Sequence, residues 1–220
     1  MTTPDPQQQA DQRDFNRRLI LTLEQGGIDY AVAPRSLAAR FRGWATFGGS
    51  VAAMAYSEPR TTIDIDVMIA MDHDRLELLV DEIGCWNVYV DSVETIDEFL
   101  RPNRMPINVV DGISGVKADL YVARPDGLDV LAMTRRRRLP LYEQPSVEAW
   151  FLSPEDVILY KLDYYRQSQG VSTKHPKDIA KMLRVVGDQL DLDYLATWTH
   201  KLGVAPIWQA IWDEHRKQAF

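Results

Sequence analysis

Up to about residue 150, hydrophobic and polar positions follow patterns typical of helices and strands. Apolar residues at helical spacing predict an amphipathic helix over residues 15–25, which Gly26 and Gly27 end. Two more helices are predicted over residues 51–56 and 73–83. A period of two, typical of a strand with two different faces, covers residues 63–69 and 116–122. Short apolar runs predict three further strands, over residues 44–47, 87–90 and 107–110.

The pattern changes beyond residue 150, where the alternation of β-branched residues stops. Pro154, Pro176 and Pro206 each stand where a helix would begin, because proline is favoured in the first helical turn. These features predict an α/β (α+β) fold, in which a mixed sheet flanked by helices is followed by a C-terminal helical region. We divide the chain into a frayed leader over residues 1–14, an α/β domain over residues 15–150 and a helical region over residues 151–220.

Composition narrows the classes of protein that fit. The 220 residues are 45% hydrophobic and 26% charged, which is typical of a folded globular chain and excludes wholesale disorder. Because the formal net charge is −7, contact with nucleic acid needs a local basic patch. Cys85 is the single cysteine, so an intrachain disulfide is excluded, and neither a signal-peptide core nor a membrane-spanning stretch is visible. We therefore expect a cytoplasmic protein with no membrane partner.

Three aspartates stand on the polar faces of the two alternating strands. Asp64 and Asp66 are two residues apart, so their side chains point the same way and their Cα atoms lie roughly 6.6 Å apart. Asp119 has the same setting in the second strand and would complete the patch if the strands are neighbours. Such carboxylates repel one another unless a cation separates them, and their hard oxygens suit Mg²⁺ or Mn²⁺. The alternative is the solvated face of an edge strand, since a D-x-D pattern alone is weakly specific.

A glycine turn precedes these aspartates. Gly48, Gly49 and Ser50 lie between a predicted strand and a predicted helix. Free backbone N–H groups and the positive end of a helix dipole make such a turn suitable for a phosphate. A phosphate site would then lie beside the metal site.

These motifs resemble those of a known superfamily. A Phe-Gly-Gly-Ser turn at residues 47–50, an Arg-x-Thr-x-Asp-Ile-Asp segment at residues 60–66 and Asp119 resemble the pattern of the DNA polymerase β-type nucleotidyltransferases. Residues 152–162 and 177–179 resemble the AbiEii-like branch of that superfamily, which includes toxins of toxin–antitoxin systems. The resemblance covers about residues 44–186.

The resemblance implies a nucleotidyltransferase-like fold and a role for each matching residue. It implies that Asp64, Asp66 and Asp119 bind the metal. Catalytic roles are implied for Asp64, Asp66, Lys161 and Asp178, since the toxin branch has an essential Asp after an essential Lys. The implied nucleotide-binding residues are Gly48, Gly49, Ser50, Arg60, Thr62 and Lys161. Among these, Gly49 and Ser50 would bind the β- and γ-phosphates.

Lys161 interrupts the apolar stripe of a predicted helix. Either its stem carries the ammonium to solvent, or the ammonium points into the acidic cleft, where Asp64, Asp66 or Asp178 offsets its charge. Asp178 follows Pro176 in the first turn of a helix, where the helix dipole alone also explains an acid. Asp178 would act either as a base on the acceptor or as the residue that orders Lys161.

Positive charge is densest in the four successive arginines at residues 135–138. Such a run is usually a solvated surface, but it could join other basic residues in a patch that holds RNA or a triphosphate. The other members would be Arg124, Lys174, Lys177 and Lys181. The histidines show no metal-ligand spacing and are expected at the surface or at helix caps.

Together these features predict a Mg²⁺-dependent nucleotidyltransferase that moves a nucleoside monophosphate from a nucleoside triphosphate to an acceptor hydroxyl. An RNA or tRNA end is the favoured acceptor, and a protein hydroxyl or a small molecule is the alternative. The toxin resemblance also predicts a cognate antitoxin as a partner. Two other classes are compatible with the sequence: a non-catalytic nucleotide-binding or interaction module on the same fold, and an antitoxin or scaffold whose acidic surface neutralises a basic protein.

Overall fold

The computed structural model describes residues 6–33, 64–92, 95, 106–142, 146–171 and 174–218. Its strands are β1 (Asp29–Ala33), β2 (Asp64–Ala70), β3 (Tyr89–Val90), β4 (Ile107–Val110), β5 (Lys117–Val122), β6 (Arg137–Tyr142) and β7 (Val147–Phe151). Its α-helices are α1 (Pro6–Gln25), α2 (His73–Gly84), α3 (Gly127–Thr134), α4 (Pro154–Gln167), α5 (Lys174–Val186), α6 (Leu192–Lys201) and α7 (Ala205–Gln218). A short 3₁₀ turn, Gly187–Gln189, follows α5.

The described strands form one mixed sheet in the order β3-β4-β5-β2-β1-β7-β6. The strand pairs β2–β5 and β1–β7 are parallel, and the other neighbouring pairs are antiparallel. After β7 the described chain continues in helices. This arrangement confirms the predicted α/β (α+β) class, with a mixed sheet followed by a helical region.

The central strand β2 divides the apolar core from a polar face. Ile65, Val67 and Ile69 are fully buried and point to one side of the sheet, as the period of two predicts. Asp66 and Met68 point to the other side and are also buried. Because elements on both sides cover β2, its acidic residue lies inside the protein and not on a solvated edge.

One hydrophobic core runs through both predicted regions. Its buried residues extend from Phe15 in α1, through β2, to Trp208 in α7. The stacked ring of Trp212, with its centroid 5.4 Å from that of Trp208, adds to the helical end of this core. Among the described residues, no helix combines the length and the apolar character that a membrane crossing needs.

Side-chain caps explain where several helices begin. Asp72, Ser153 and Asp191 precede α2, α4 and α6, and each side chain accepts a hydrogen bond from a backbone N–H in the first turn. Pro154 is the first residue of α4, as the sequence predicts.

The N-terminal helix is longer than predicted. It begins at Pro6 instead of residue 15, so residues 6–14, which we assigned to a frayed leader, are helical. Polar residues such as Gln7 and Asp11 give no apolar period, but Gln7 Nε2 donates to Asp11 Oδ1 at 2.8 Å, one turn along the helix. The prediction was wrong here because it relied on hydrophobic spacing alone.

Four elements had no predicted counterpart, and one was shorter than expected. The missed elements are β1, α3, β6 and β7. In β1, four successive residues are buried, so no alternation marks the strand. The edge strand β6 contains charged residues and Pro140, so it lacks the apolar pattern by which a strand is predicted. β3 covers only Tyr89–Val90, because Asn87 has a φ of 61°, in the left-handed region.

Candidate active site

The parallel pairing of β2 with β5 places two buried aspartates side by side. Asp66 is in register with Asp119, and Asp64 is in register with Lys117. Paired residues of neighbouring strands point to the same face of the sheet, and the strands lie about 4.8 Å apart. The residue exposure of Asp66 is 0% and that of Asp119 is 3%, so both acids are buried.

Two neighbouring side chains contact this acidic pair. Lys117 Nζ lies 2.9 Å from Asp119 Oδ1. The Tyr121 hydroxyl donates a long hydrogen bond of 3.4 Å to Asp66 Oδ1. Both residues are on β5, two residues to either side of Asp119, so one strand supplies the acid and both contacts.

Another polar group lies beside Asp119, on the neighbouring strand β4. Asn108 of β4 is in register with Asp119. Its side-chain amide donates to Asp91 Oδ2 at 2.9 Å, and its backbone N–H donates to the same oxygen at 2.8 Å. Asp91 is itself buried. Asp91 therefore fixes the orientation of the Asn108 amide, next to Asp119.

Lys161 and Asp178 form a buried ion pair between α4 and α5. Lys161 Nζ donates to Asp178 Oδ2 at 2.9 Å, and the two side chains are 0% and 10% exposed. This contradicts the alternative in which Lys161 extends to solvent. Residues 154–163 of α4 are buried on every side, so the helix has no exposed stripe over this length, and Lys161 is enclosed wherever it points.

Several predicted site residues lie outside the described part of the chain. These are Gly48, Gly49, Ser50, Arg60 and Thr62. The backbone of Asp64 is described as the first residue of β2, and its side chain is not. The strand pairing nevertheless assigns Asp64 to the same face as Asp66 and Lys117.

The donor set of the acidic pair fits a hard divalent cation. Carboxylates on adjacent strands offer oxygen ligands of the kind that Mg²⁺ and Mn²⁺ prefer. Among the described side chains, no three potential ligands lie close enough together to hold a metal ion. Asp66 and Asp119 could supply two protein ligands, and Asp64 is the candidate for a third.

A buried network beside Lys161 was missed by the sequence reasoning. Tyr160 precedes Lys161, and its hydroxyl donates to Asp129 Oδ1 at 2.8 Å. The backbone N–H of Arg124 donates to Asp129 Oδ2 at 3.0 Å. Asp129 therefore ties α4 to the segment after β5. The sequence signal was an acid in the first turn of α3, which is usually explained by the helix dipole alone.

The start of α4 is held by a second cluster of buried acids. The Ser153 hydroxyl donates to Asp156 Oδ2 at 2.6 Å, and the Tyr194 hydroxyl donates to Asp156 Oδ1 at 2.6 Å. Arg135 lies 3.2 Å from Glu155 Oε2 and stacks over the Tyr194 ring at 3.9 Å. These contacts join the sheet region to α4 and α6, so structural roles account for Ser153, Glu155 and Asp156.

The pKa values of the two acids in this cluster are shifted in opposite directions. Burial raises the pKa of Asp156, and the hydrogen bonds from Ser153 and Tyr194 only partly offset this effect. Burial also acts to raise the pKa of Glu155, but the hydrogen bond from the backbone N–H of Asp191 and further hydrogen bonds outweigh it. The pKa of Glu155 is therefore lowered overall.

The arginines of the predicted basic patch take part in ion pairs. The pairs are Arg124–Asp129, Arg135–Glu155, Arg136–Asp29, Arg138–Glu24 and Arg138–Glu148. Arg137 lies 4.0 Å from Glu155. The expectation for the histidines was wrong at His175, which is buried in α5 with its ring 4.2 Å from the ring of Tyr164.

The predicted lysines of the patch lie along one side of α5. Lys174, Lys177 and Lys181 have helical spacing, and Arg184 continues the same row. Lys177 and Arg184 are exposed, and the other two are half-buried. We call these four residues the α5 basic row. Asp178, the partner of Lys161, is on the same helix beside it.

Comparisons with solved structures find similar folds. One is the solution structure of the antibiotic-resistance factor ANT(2'')-Ia, with 14% identity over 96% of this chain and 99% of the other, and a TM-score of 0.49. Another is the crystal structure of an antigenic nucleotidyltransferase-like protein from Paracoccidioides brasiliensis, with 20% identity over 91% of each chain and a TM-score of 0.49. No family model matches the chain, and no curated protein matches it. At these identities the likeness concerns the fold, and the functional argument rests on the residues.

Proposed function

We propose that this chain is a Mg²⁺-dependent nucleotidyltransferase, with Mn²⁺ as an alternative metal. The observation that carries the proposal is the register of β2 and β5, which brings the buried carboxylates of Asp66 and Asp119 together on the face that also carries Asp64. A solvated edge strand would not bury these acids. Buried neighbouring carboxylates are costly unless a positive charge offsets them, and a divalent cation does so directly.

Each part of the chain has a role in this proposal. Asp64, Asp66 and Asp119 would hold the metal, which when bound neutralises charge on the triphosphate. The turn at residues 48–50, with Arg60 and Thr62, would bind the phosphates, in keeping with the motif resemblance. Lys161 would offset the charge that develops on the leaving pyrophosphate.

The reaction is a displacement at phosphorus. The acceptor hydroxyl oxygen forms a bond to the α-phosphorus, while the bond from that phosphorus to the bridging oxygen breaks. Pyrophosphate leaves with the electron pair, and the hydroxyl proton passes to solvent or to a carboxylate. Since Asp178 accepts a hydrogen bond from Lys161 at 2.9 Å, we assign it the positioning of the ammonium. Catalysis then comes from positioning and charge neutralisation.

We propose an RNA end as the acceptor. The α5 basic row gives this acidic protein a local positive surface next to the Lys161–Asp178 pair. Lysines spaced along one helix face suit the phosphates of an RNA backbone. The resemblance to the toxin branch supports the same acceptor class and a cognate antitoxin as a partner.

The nucleotide and metal sites can be tested by thermal unfolding. We expect nucleoside triphosphates with Mg²⁺ to raise the unfolding temperature of the wild type, because ligands that bind the folded state stabilise it. Asp66→Asn should lose this shift, and Asp188→Asn, at an exposed position of the 3₁₀ turn, should keep it. An equal shift in Asp66→Asn would contradict the metal assignment.

The RNA surface can be tested through salt dependence. The double variant Lys177→Glu/Lys181→Glu should bind RNA more weakly and lower the slope of log K against log salt by about one for each lysine. The double variant Arg216→Glu/Lys217→Glu makes the same change in net charge at two exposed positions of α7 and is the matched control. Equal losses in both variants would point to net charge alone and contradict a site on α5.

A further inference from the structure

Lys117 has an unusual place at the acidic pair. It is the first residue of β5 and is in register with Asp64, at the start of β2. Its ammonium lies 2.9 Å from Asp119 Oδ1, so it contacts one of the two carboxylates assigned to the metal. The Lys117 side chain is 29% exposed and that of Asp119 is 5% exposed. The lysine therefore reaches from the solvent edge to a buried acid.

We propose that Lys117 is a built-in counter-ion that occupies Asp119 until a divalent cation binds, and that it must then withdraw. The inference rests on the proposed function, since it concerns the same acidic site. It adds a form of regulation: the affinity for the cation is lowered by a competing side chain of the same chain.

The charges at the site explain why such competition arises. Asp66 and Asp119 lie on adjacent strands and are buried, so their mutual repulsion favours a nearby positive charge. Lys117 supplies that charge, because its ammonium is a compact charge on a flexible stem. A Mg²⁺ ion would bind a carboxylate oxygen at about 2.1 Å. Two cations on the same carboxylate would repel each other at close range.

The partial exposure of Lys117 makes withdrawal feasible. A fully enclosed ammonium could not leave its acid without losing all contact with water. Lys117 is exposed at 29%, so its ammonium can move to solvent when the cation arrives. Lys161 differs in this respect, because its side chain is 0% exposed.

An opposite role for Lys117 makes a different prediction. If its ammonium oriented Asp119 for the metal, removal of the charge would weaken cation binding. Competition predicts tighter binding instead. The direction of the change in affinity therefore separates the two roles.

The test is calorimetric titration of the full chain with Mn²⁺, without nucleotide. Lys117→Met keeps much of the stem and removes the charge, so competition predicts Mn²⁺ binding about two- to fivefold tighter than in the wild type, the range that a partly exposed ion pair allows. Lys117→Arg keeps the charge and should bind no more tightly than the wild type.

The outcomes separate this inference from the proposed function. If the wild type binds Mn²⁺ and Asp66→Asn does not, but Lys117→Met binds with unchanged or weaker affinity, the counter-ion role is wrong and the metal site stands. If the wild type and Lys117→Met both fail to bind Mn²⁺, the metal site is wrong and both proposals fall. Chemical unfolding of each variant shows that the compared chains are folded.

Discussion

The buried ion pair of Lys161 and Asp178 makes a quantitative prediction about the stability of this protein. The two charges are joined by one hydrogen bond of 2.9 Å, and Lys161 is fully enclosed by the core. Lys161→Met preserves much of the side-chain volume and removes the charge. Asp178→Asn preserves the shape of its partner. A double-mutant cycle with these two changes isolates the interaction from the separate effect of each substitution.

The expected magnitude follows from the distance and the burial. Two unit charges 2.9 Å apart attract each other by about 6 kcal/mol at an effective dielectric constant of roughly 20. Much of this is cancelled by the cost of removing an ammonium and a carboxylate from water. Each single variant breaks the buried ion pair by removing one of its two charges, so each should lower the free energy of unfolding by about 3 kcal/mol or more. The double variant should lose less than the sum, with a coupling of about 2 kcal/mol.

Urea-induced unfolding measures each corner of the cycle. Equal slopes of the free energy against urea concentration would show that the four chains unfold in the same way. If the losses of the single variants simply add in the double variant, the two residues are not coupled, and the pair is wrongly assigned. If Lys161→Met is as stable as the wild type, the buried position of the ammonium is wrong.

Three further substitutions have expected outcomes. Asp66→Asn should abolish Mn²⁺ binding in titration without lowering the stability of the metal-free chain, because it relieves repulsion with Asp119; markedly earlier unfolding would make Asp66 a structural acid. Tyr194→Phe removes a 2.6 Å hydrogen bond to buried Asp156 and should cost about 1–3 kcal/mol in urea unfolding; no loss would contradict that contact. Folding lowers the pKa of Glu155 below its usual 4.5, so its ionised form stabilises the fold above that pH, and this contribution is lost as the pH falls through the lowered pKa. Glu155→Gln should therefore lower stability at pH 7 and weaken the loss of stability on acidification, as measured by unfolding at a series of pH values; an unchanged pH profile would contradict the assignment.

The sequence predicts the elements whose two faces differ in chemistry. The alternation around Asp64 and Asp66 places β2 correctly, and the alternation around Asp119 places β5, because one face of each strand carries acids. Pro154 at the start of α4 is a local signal of the same kind. Each of these patterns is contained within a few neighbouring residues, so a single sequence is enough to show it.

The missed features depend on contacts between residues far apart in the chain. β1 has no alternation because both its faces are covered, and α3 is short. From the sequence, the arginines at residues 135–138 were predicted to lie in a surface patch. In the fold they pair with acids such as Asp29 and Glu155, which are distant in the chain. The proposed counter-ion role of Lys117 could not be predicted from the sequence either, because it depends on the short distance between its ammonium and Asp119 in the folded sheet.

The central claim is that this chain transfers a nucleoside monophosphate with the help of the acidic pair. The most direct measurement is incubation of the full chain with each α-labelled nucleoside triphosphate, total cellular RNA and Mg²⁺ or Mn²⁺, followed by separation of labelled RNA. We predict metal-dependent transfer of label to RNA by the wild type, and none by Asp66→Asn or Asp119→Asn at concentrations where both variants are folded. Transfer that persists in these variants, or no metal-dependent transfer of any of the labelled nucleotides by the wild type, would contradict the claim.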